Sequence, residues 1–260
     1  MSILKIENLT IFFGGIKALN KVSFEVEKGA IYSIIGPNGA GKTTVFNCIS
    51  GIYKPNSGKI SFKGEDITYL KPDQVAKKGI ARTFQNIELF SHMSTMDNLM
   101  LGRHIHMKTG VWRGATFIYK NSKAAKEEIE NRRKVEEIID FLDLQVARDQ
   151  FVVNLPYGTR KLVELGRALA LDPEVILLDE PSAGMNMEEK GDLIFSIQDI
   201  RDDLGITVLL VEHDMNLIMD VSDRILALNY GEKIAEGLPE EIQKNPEVLK
   251  AYLGEEEKVA

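Results

Sequence analysis

Hydrophobic and polar positions alternate with period two near the start of the chain. Residues 3–8, and then Val22-Ser23-Phe24-Glu25-Val26, read as half-buried antiparallel strands. Later the pattern changes. Ala30-Ile31-Tyr32-Ser33-Ile34-Ile35, Val175-Ile176-Leu177-Leu178 and residues 207–211 are short, continuous apolar runs, which predict strands covered on both faces. Shorter strands are expected over residues 59–62, in the run of residues 79–85, and over residues 225–228 and 233–235. The turns Lys54-Pro55-Asn56-Ser57-Gly58 and Lys63-Gly64-Glu65-Asp66 bound the strand at 59–62. Helical spacing appears over residues 43–49 and from about 96 to 144, where Ile129, Val135, Ile138, Ile139 and Leu142 fall mostly on one face. It returns over residues 159–171, 186–203 and 239–253. Residues 102–121 mix His, Gly, Trp and basic side chains without periodicity and read as an inserted loop or short helix. Strands alternating with helices after an antiparallel start predict an α/β fold, without internal repeats or a low-complexity linker.

Composition narrows the class without deciding it. The 260 residues are 44% hydrophobic and 27% charged, ordinary for a globular protein. The net charge of −7, from 32 basic and 39 acidic residues, argues against a nucleic-acid partner, which calls for a basic footprint. Cys48 is the single cysteine, so no internal disulfide forms, and it reads as a small buried apolar residue in a reducing compartment. No apolar run is long enough to span a bilayer, and Lys5 and Glu7 interrupt the first apolar stretch, so no signal peptide is expected.

The strongest chemical signal is Gly36-Pro37-Asn38-Gly39-Ala40-Gly41-Lys42-Thr43-Thr44, placed between a predicted strand and a predicted helix. This is the order a phosphate-binding loop requires. A triphosphate needs several backbone N–H donors converging on it. Gly36, Gly39 and Gly41 let the chain wrap closely, Lys42 brings a cation, and Thr43 offers a hard oxygen to Mg²⁺. The following helix aims its N-terminus at the same anion. A second signal is the pair Asp179-Glu180 at the C-terminal end of a buried run, where open parallel sheets carry their ligands. Another buried run ends in Glu212-His213-Asp214. An aromatic of Phe12-Phe13-Gly14-Gly15 could stack on a purine base or simply flank the turn as a core aromatic. His104 and His106 sit two apart and read as surface polar residues, since a metal pair needs further ligands.

A phosphate loop, a β-run ending in Gln85, a helical insert, a strand ending in Asp179-Glu180 and a strand ending in His213: this order resembles the ATP-binding subunit of ABC transporters over about residues 3–253. Residues 36–44 look like Walker A and residues 175–180 like Walker B. Gln85 resembles the Q-loop glutamine, Ser182-Ala183-Gly184-Met185-Asn186 the D-loop, and His213 the switch histidine. Phe13 lies where the family's base-stacking aromatic falls. Finer features resemble the ATPases of branched-chain amino-acid importers. They are Val45-Phe46-Asn47 after the loop, the Ala-Gly-Met-Asn after Pro181, the insert around Lys108-Thr109-Gly110, and Asn245-Pro246 through Tyr252-Leu253-Gly254. The lipopolysaccharide-export ATPase shares several of these and is the alternative.

The resemblance implies a P-loop NTPase (RecA-like) core with an N-terminal antiparallel β subdomain and an inserted α-helical subdomain. That is one domain over residues 1–260: core about 1–90 and 160–254, helical subdomain about 91–159, acidic tail 255–260. It implies ATP and Mg²⁺ as cofactors, with Thr43, Gln85 and Asp179 on the metal, Glu180 polarising the attacking water, Lys42 stabilising charge and His213 at the γ-phosphate. Where the family has Leu-Ser-Gly-Gly-Gln, this chain reads Leu155, Pro156, Tyr157, Gly158, Thr159, a signature that acts on the ATP of an opposing subunit. Pro156 replaces its serine. Implied partners are membrane permease subunits, faced by Gln85 and residues 86–90, a second ATPase subunit in a head-to-tail dimer with a sister chain, and indirectly a periplasmic binding protein. The implied place is peripheral, at the cytoplasmic face of the inner membrane. A non-transport ABC ATPase acting on nucleic acid would carry long coiled coils or two cassettes. A plain P-loop kinase leaves His213 and Gln85 unexplained.

Overall fold

The computed structural model describes residues 1–107 and 123–259. The chain forms two compact units, residues 1–85 with 174–260, and residues 86–173.

The first unit opens with a long hairpin, β1 (Ser2–Phe13) and β2 (Ile16–Glu27), paired antiparallel with Leu4 opposite Val26 and Ile6 opposite Phe24. Both strands run well past the stretches where alternation is clean. The inward positions of β1 are Leu4 and Ile6, then Leu9 and Ile11, so the phase slips by one residue. The register shifts there, and Asn8 takes φ 49°, as Lys21 of β2 takes φ 53°. A bulge flips every later side chain to the other face unless the pattern slips with it. Next come β3 (Ile31–Ile35), α1 (Lys42–Ile49), β4 (Ser57–Phe62), β5 (Glu65–Asp66), α2 (Pro72–Lys78) and β6 (Ile80–Arg82). α2 was not legible from hydrophobic periodicity. Its marks are Pro72 in the first turn and Gly79 at its end with φ 104°.

The second unit holds α3 (Thr95–Arg103), a 3₁₀ turn at His104–His106, α4 (Lys123–Phe141) and α5 (Tyr157–Leu169). α3 and α5 approach so closely that a Cβ on Gly102 would lie 2.5 Å from the Arg167 carbonyl oxygen. Buried Arg103 ties the helices together, donating from Nε to Asn131 at 2.9 Å and from Nη1 to the Ala170 carbonyl at 3.0 Å. His104 and His106 are exposed, and His106 Nε2 lies 3.0 Å from the Leu171 carbonyl. Among the described residues no three His, Cys, Asp or Glu side chains cluster to hold a metal. Most of the insert, including Lys108-Thr109-Gly110, lies outside the described residues.

The chain then returns to the first unit with β7 (Val175–Asp179), α6 (Met187–Asp202), β8 (Thr207–Val211), α7 (Met215–Val221), β9 (Arg224–Asn229), β10 (Glu232–Gly237), α8 (Pro239–Gln243) and α9 (Pro246–Val259). The Asn186 side chain accepts from the Glu189 N–H and the Glu189 carboxylate accepts from the Asn186 N–H, a capping box that starts α6. Pro246 divides the C-terminal helical stretch in two, and its second helix continues past Leu253.

One sheet is antiparallel, in the order β2-β1-β4-β5. The other runs β10-β9-β3-β8-β7-β6, parallel except for the β9–β10 edge. Every residue of β3, β7 and β8 is buried, which is why these strands read as unbroken apolar runs. Val45, Phe46, Cys48 and Ile49 of α1 share one apolar cluster with Leu4 and Ile6 of the first sheet and Ile34, Leu177 and Leu209 of the second. Fully burying each such side chain contributes about 1.5–3 kcal/mol, so α1 is anchored from both sides. Burial pushes the Cys48 thiol up to about 12, which keeps it protonated and inert. On the other face of the parallel sheet, Ile218, Ile242 and Val248 of α7, α8 and α9 pack with Ile35 and Ile225.

Candidate functional site: a nucleotide cleft at the strand ends

The loop between β3 and α1 is fixed from three directions. Gly36 has φ 148°, and a Cβ there would sit 2.2 Å from the Leu228 carbonyl oxygen. Its N–H donates to the Tyr252 hydroxyl of α9 at 2.9 Å. Gly41, at φ 105°, lies against Leu19 of β2, where a Cβ would come within 2.8 Å. The Gly231 N–H, between β9 and β10, donates to the Ala40 carbonyl at 3.0 Å. α1 begins at Lys42 with no side-chain cap and no acidic residue in its first turn. Its leading N–H groups and the positive end of its dipole are therefore offered to an anion.

An open cleft is lined by Ala18, Asn38, Gly39, Ala40, Gly41, Lys42, Thr43, Thr44, Glu180 and His213. The loop, the residue after β7 and the second residue after β8 therefore meet in one place, although the loop is well over a hundred residues from the other two in the chain. Ala18 was not singled out by the sequence. Lys42 is buried, and its ammonium donates to the Gly36 carbonyl at 2.7 Å and the Pro37 carbonyl at 3.0 Å.

Glu180 is held from both sides. Gln85 Nε2 donates to its Oε2 at 2.7 Å, and His213 Nε2 lies 2.8 Å from its Oε1. Its backbone has φ 49°, uncommon for a residue with a Cβ, and is fastened by an N–H bond to the Val211 carbonyl at 2.8 Å. Strained backbone of this sort persists where the surroundings over-determine it, which is frequent at functional sites.

Behind the cleft, Asp179 is 2% exposed and paired with Arg82, whose Nη2 donates to Oδ2 at 2.8 Å. Burial pushes the Asp179 carboxyl up, and the neighbouring guanidinium opposes that shift. Its Oδ1 is buried and has no hydrogen-bond partner among the described residues. Such an orphaned carboxylate oxygen suits a hard divalent cation, which takes oxygen ligands and keeps several waters.

Phe13 is 44% exposed and stands edge-on to Tyr53, with ring centroids 5.1 Å apart. It is no core aromatic, and it is not among the residues lining the cleft. Leu155, Pro156, Tyr157, Gly158 and Thr159 belong to the second unit. Leu155 and Gly158 are buried, Tyr157 is half-exposed, and Pro156 precedes α5 without a side-chain cap. Sequence reasoning passed over Arg82 and Tyr252. Arg82 sits in a short strand just before Gln85, and only its 97-residue reach to Asp179 gives it meaning.

Comparison with known proteins agrees with this geometry. Residues 19–183 match the ABC transporter family, and residues 232–258 match the C-terminal family described as branched-chain amino acid ATP-binding cassette transporter. The chain is 41% identical over 253 residues to a high-affinity branched-chain amino acid transport ATP-binding protein of Pseudomonas aeruginosa, covering 97% of this chain and 98% of that one. It is similar to the ADP conformation of an ATP-binding cassette of an ABC transporter, with TM-score 0.84, 34% identity, and coverage of 98% and 99% of the two chains. It is also similar to a dimeric cassette bound to ADP and Pi, with TM-score 0.74, 25% identity, and coverage of 91% and 98%. The chain thus belongs to the ABC transporter family as an ATP-binding cassette.

Proposed function

We propose that this chain is the ATP-hydrolysing subunit that powers import of branched-chain amino acids through a membrane permease. The observation that carries the ATPase reading is the convergence of the phosphate loop, Glu180 and His213 on one cleft. The substrate class is supported by the C-terminal match over residues 232–258 and by the relatives' names.

In this reading the loop amides and the α1 N-terminus bind the phosphates of ATP, and Lys42 swings from the Gly36 and Pro37 carbonyls to the outer phosphates. Thr43, Gln85 and Asp179 would hold Mg²⁺, which would supply positive charge against the phosphates. Glu180 accepts a hydrogen bond from the attacking water. As the water oxygen bonds to the γ-phosphorus and the bond to the ADP oxygen breaks, the carboxylate takes up the water's proton. His213, which lies on Glu180, contacts the γ-phosphate in this reading. Gln85, which now holds Glu180, would give up that bond to serve as a metal ligand, and the base would then be free. Phe13, at the tip of the first hairpin, is the residue offered to the adenine ring.

The signature Leu155 to Thr159 acts in trans in a head-to-tail dimer. Pro156 supplies no hydroxyl, so the opposing ATP meets only the backbone amides and positive end of α5. One missing neutral hydrogen bond is worth about 0.5–1.5 kcal/mol, which favours a sister chain with an intact serine as the dimer partner. No helix among the described residues is long and apolar enough to cross a membrane. In this reading the permease subunits span the inner membrane, and this chain docks on them from the cytoplasmic face. A periplasmic binding protein delivers the amino acid on the other side.

The test is transport. Deleting this chain should bring high-affinity uptake of radiolabelled leucine, isoleucine and valine to background, with full recovery from a plasmid copy. Undiminished uptake in the deletion strain would remove the substrate assignment.

A further inference from the structure

Arg82 is a heavily committed side chain outside the cleft lining. Its Nη2 holds Asp179 Oδ2 at 2.8 Å, and its Nη1 donates to Asn47 Oδ1 at 2.7 Å and to Ser50 Oγ at 3.0 Å, both on α1. The guanidinium lies 5.7 Å from the ring centre of Phe46 and 5.2 Å from that of Phe84, the residue before Gln85. One planar fork therefore joins three segments: the helix that begins with Lys42 and Thr43, the strand that ends in Asp179, and the stretch that leads to Gln85.

The pairing is uneven in an informative way. The carboxylate offers two oxygens, and the fork occupies one. Oδ1 is left buried and without a partner among the described residues, and so is Arg82 Nε. Buried polar groups in native proteins are nearly all satisfied, so an orphan on each member of one ion pair calls for a reason. A pair serving stability alone would close on both oxygens in the bidentate manner available to arginine. Here the second nitrogen is spent on α1 instead, and the free oxygen is the one left for a ligand.

We propose that Arg82 is a positioning residue for the metal, holding Asp179 by Oδ2 so that Oδ1 is presented to Mg²⁺ in fixed register with Thr43 at the head of α1. The proposal rests on the reading of Asp179 as a metal-holding residue. Partners that orient a metal ligand cost about 10–100-fold in metal affinity when removed. Lysine cannot replace the fork, because a single ammonium on a flexible stem cannot fix the carboxylate and α1 in one plane.

The experiment titrates the ATP-loaded protein with Mn²⁺ and follows the free-ion signal by electron paramagnetic resonance. ATP affinity in EDTA and thermal unfolding are measured alongside. Arg82→Lys should weaken Mn²⁺ binding about tenfold and Arg82→Met by up to ~100-fold, with ATP affinity in EDTA unchanged. Arg82→Lys keeps the buried charge balanced and carries the test if Arg82→Met does not fold. Asp179→Asn separates the two layers of the reading. If Asp179→Asn weakens Mn²⁺ binding and Arg82→Lys does not, the positioning role is wrong while the metal site stands. If Asp179→Asn leaves Mn²⁺ binding intact, the metal assignment fails and the positioning role fails with it. Equal loss of Mn²⁺ and metal-free ATP affinity in Arg82→Lys would make Arg82 a structural ion pair only.

Discussion

Glu180→Gln should lower ATP turnover by about 10²–10⁴-fold, the range for loss of a positioned general base, while ATP still binds. The substitution keeps the size of the side chain and one carbonyl oxygen, so one of the two contacts, to Gln85 or to His213, keeps its acceptor. It removes the negative charge and the proton acceptor. The left-handed backbone at φ 49° is unchanged, because glutamine tolerates it as glutamate does. Phosphate release measured at saturating ATP, beside nucleotide retention on a filter, separates the two effects. With hydrolysis blocked, an ATP-bound dimer should accumulate in size-exclusion chromatography. Turnover at the wild-type rate would mean that Glu180 is not the base.

Lys42→Ala has a double consequence. A charge-assisted hydrogen bond is worth about 1.5–3 kcal/mol, so loss of the ammonium from the phosphates should weaken ATP binding by about 10–150-fold and bring turnover to background. The structure adds a second effect. Lys42 is buried and braces its own loop through the Gly36 and Pro37 carbonyls. The variant should therefore melt a few degrees lower even without nucleotide, at roughly 2–4 °C per kcal/mol for a chain near this size, while staying folded. Calorimetric titration with ATP and a thermal scan of the nucleotide-free protein check the two parts. Unfolding of the nucleotide-free variant would recast Lys42 as a structural residue, and unaltered ATP affinity would remove it from the site.

Much of the site was legible because its chemistry falls where the fold's periodicity is clearest. β7 and β8 are covered on both faces, so their sequences are apolar without interruption, and the polar residues just after them stand out. Glu180 and His213 were found that way, and the phosphate loop through its glycines and lysine. What stayed hidden was information carried by distant pairs or by irregular backbone. The bulges at Asn8 and Lys21 break the alternation of β1 and β2 and made each strand look half its length. α7 has seven residues, too few to show a helical period, although Asp214 caps it by accepting from the Asn216 and Leu217 N–H groups. Arg82 and Tyr252 look like ordinary strand and helix residues until Asp179 and Gly36 are seen beside them.

The strand order has a consequence for how the protein is made. β3 lies between β8 and β9, with Tyr32 opposite both Leu209 and Arg224. A ribosome therefore finishes the phosphate loop and its strand long before either neighbour of that strand exists. At ~5–20 residues per second, synthesis needs roughly 10–35 s to go from the loop to β8. Through that interval the nascent chain carries an apolar strand with two unpaired edges, a ready template for wrong pairing. The second unit emerges during the wait, and its local helical contacts let it form early. The cleft gains Glu180 and His213 only late in that sequence, and the Gly36 N–H gains its partner later still, with Tyr252. Nascent chains arrested before β8 should accordingly be chaperone clients with no nucleotide site.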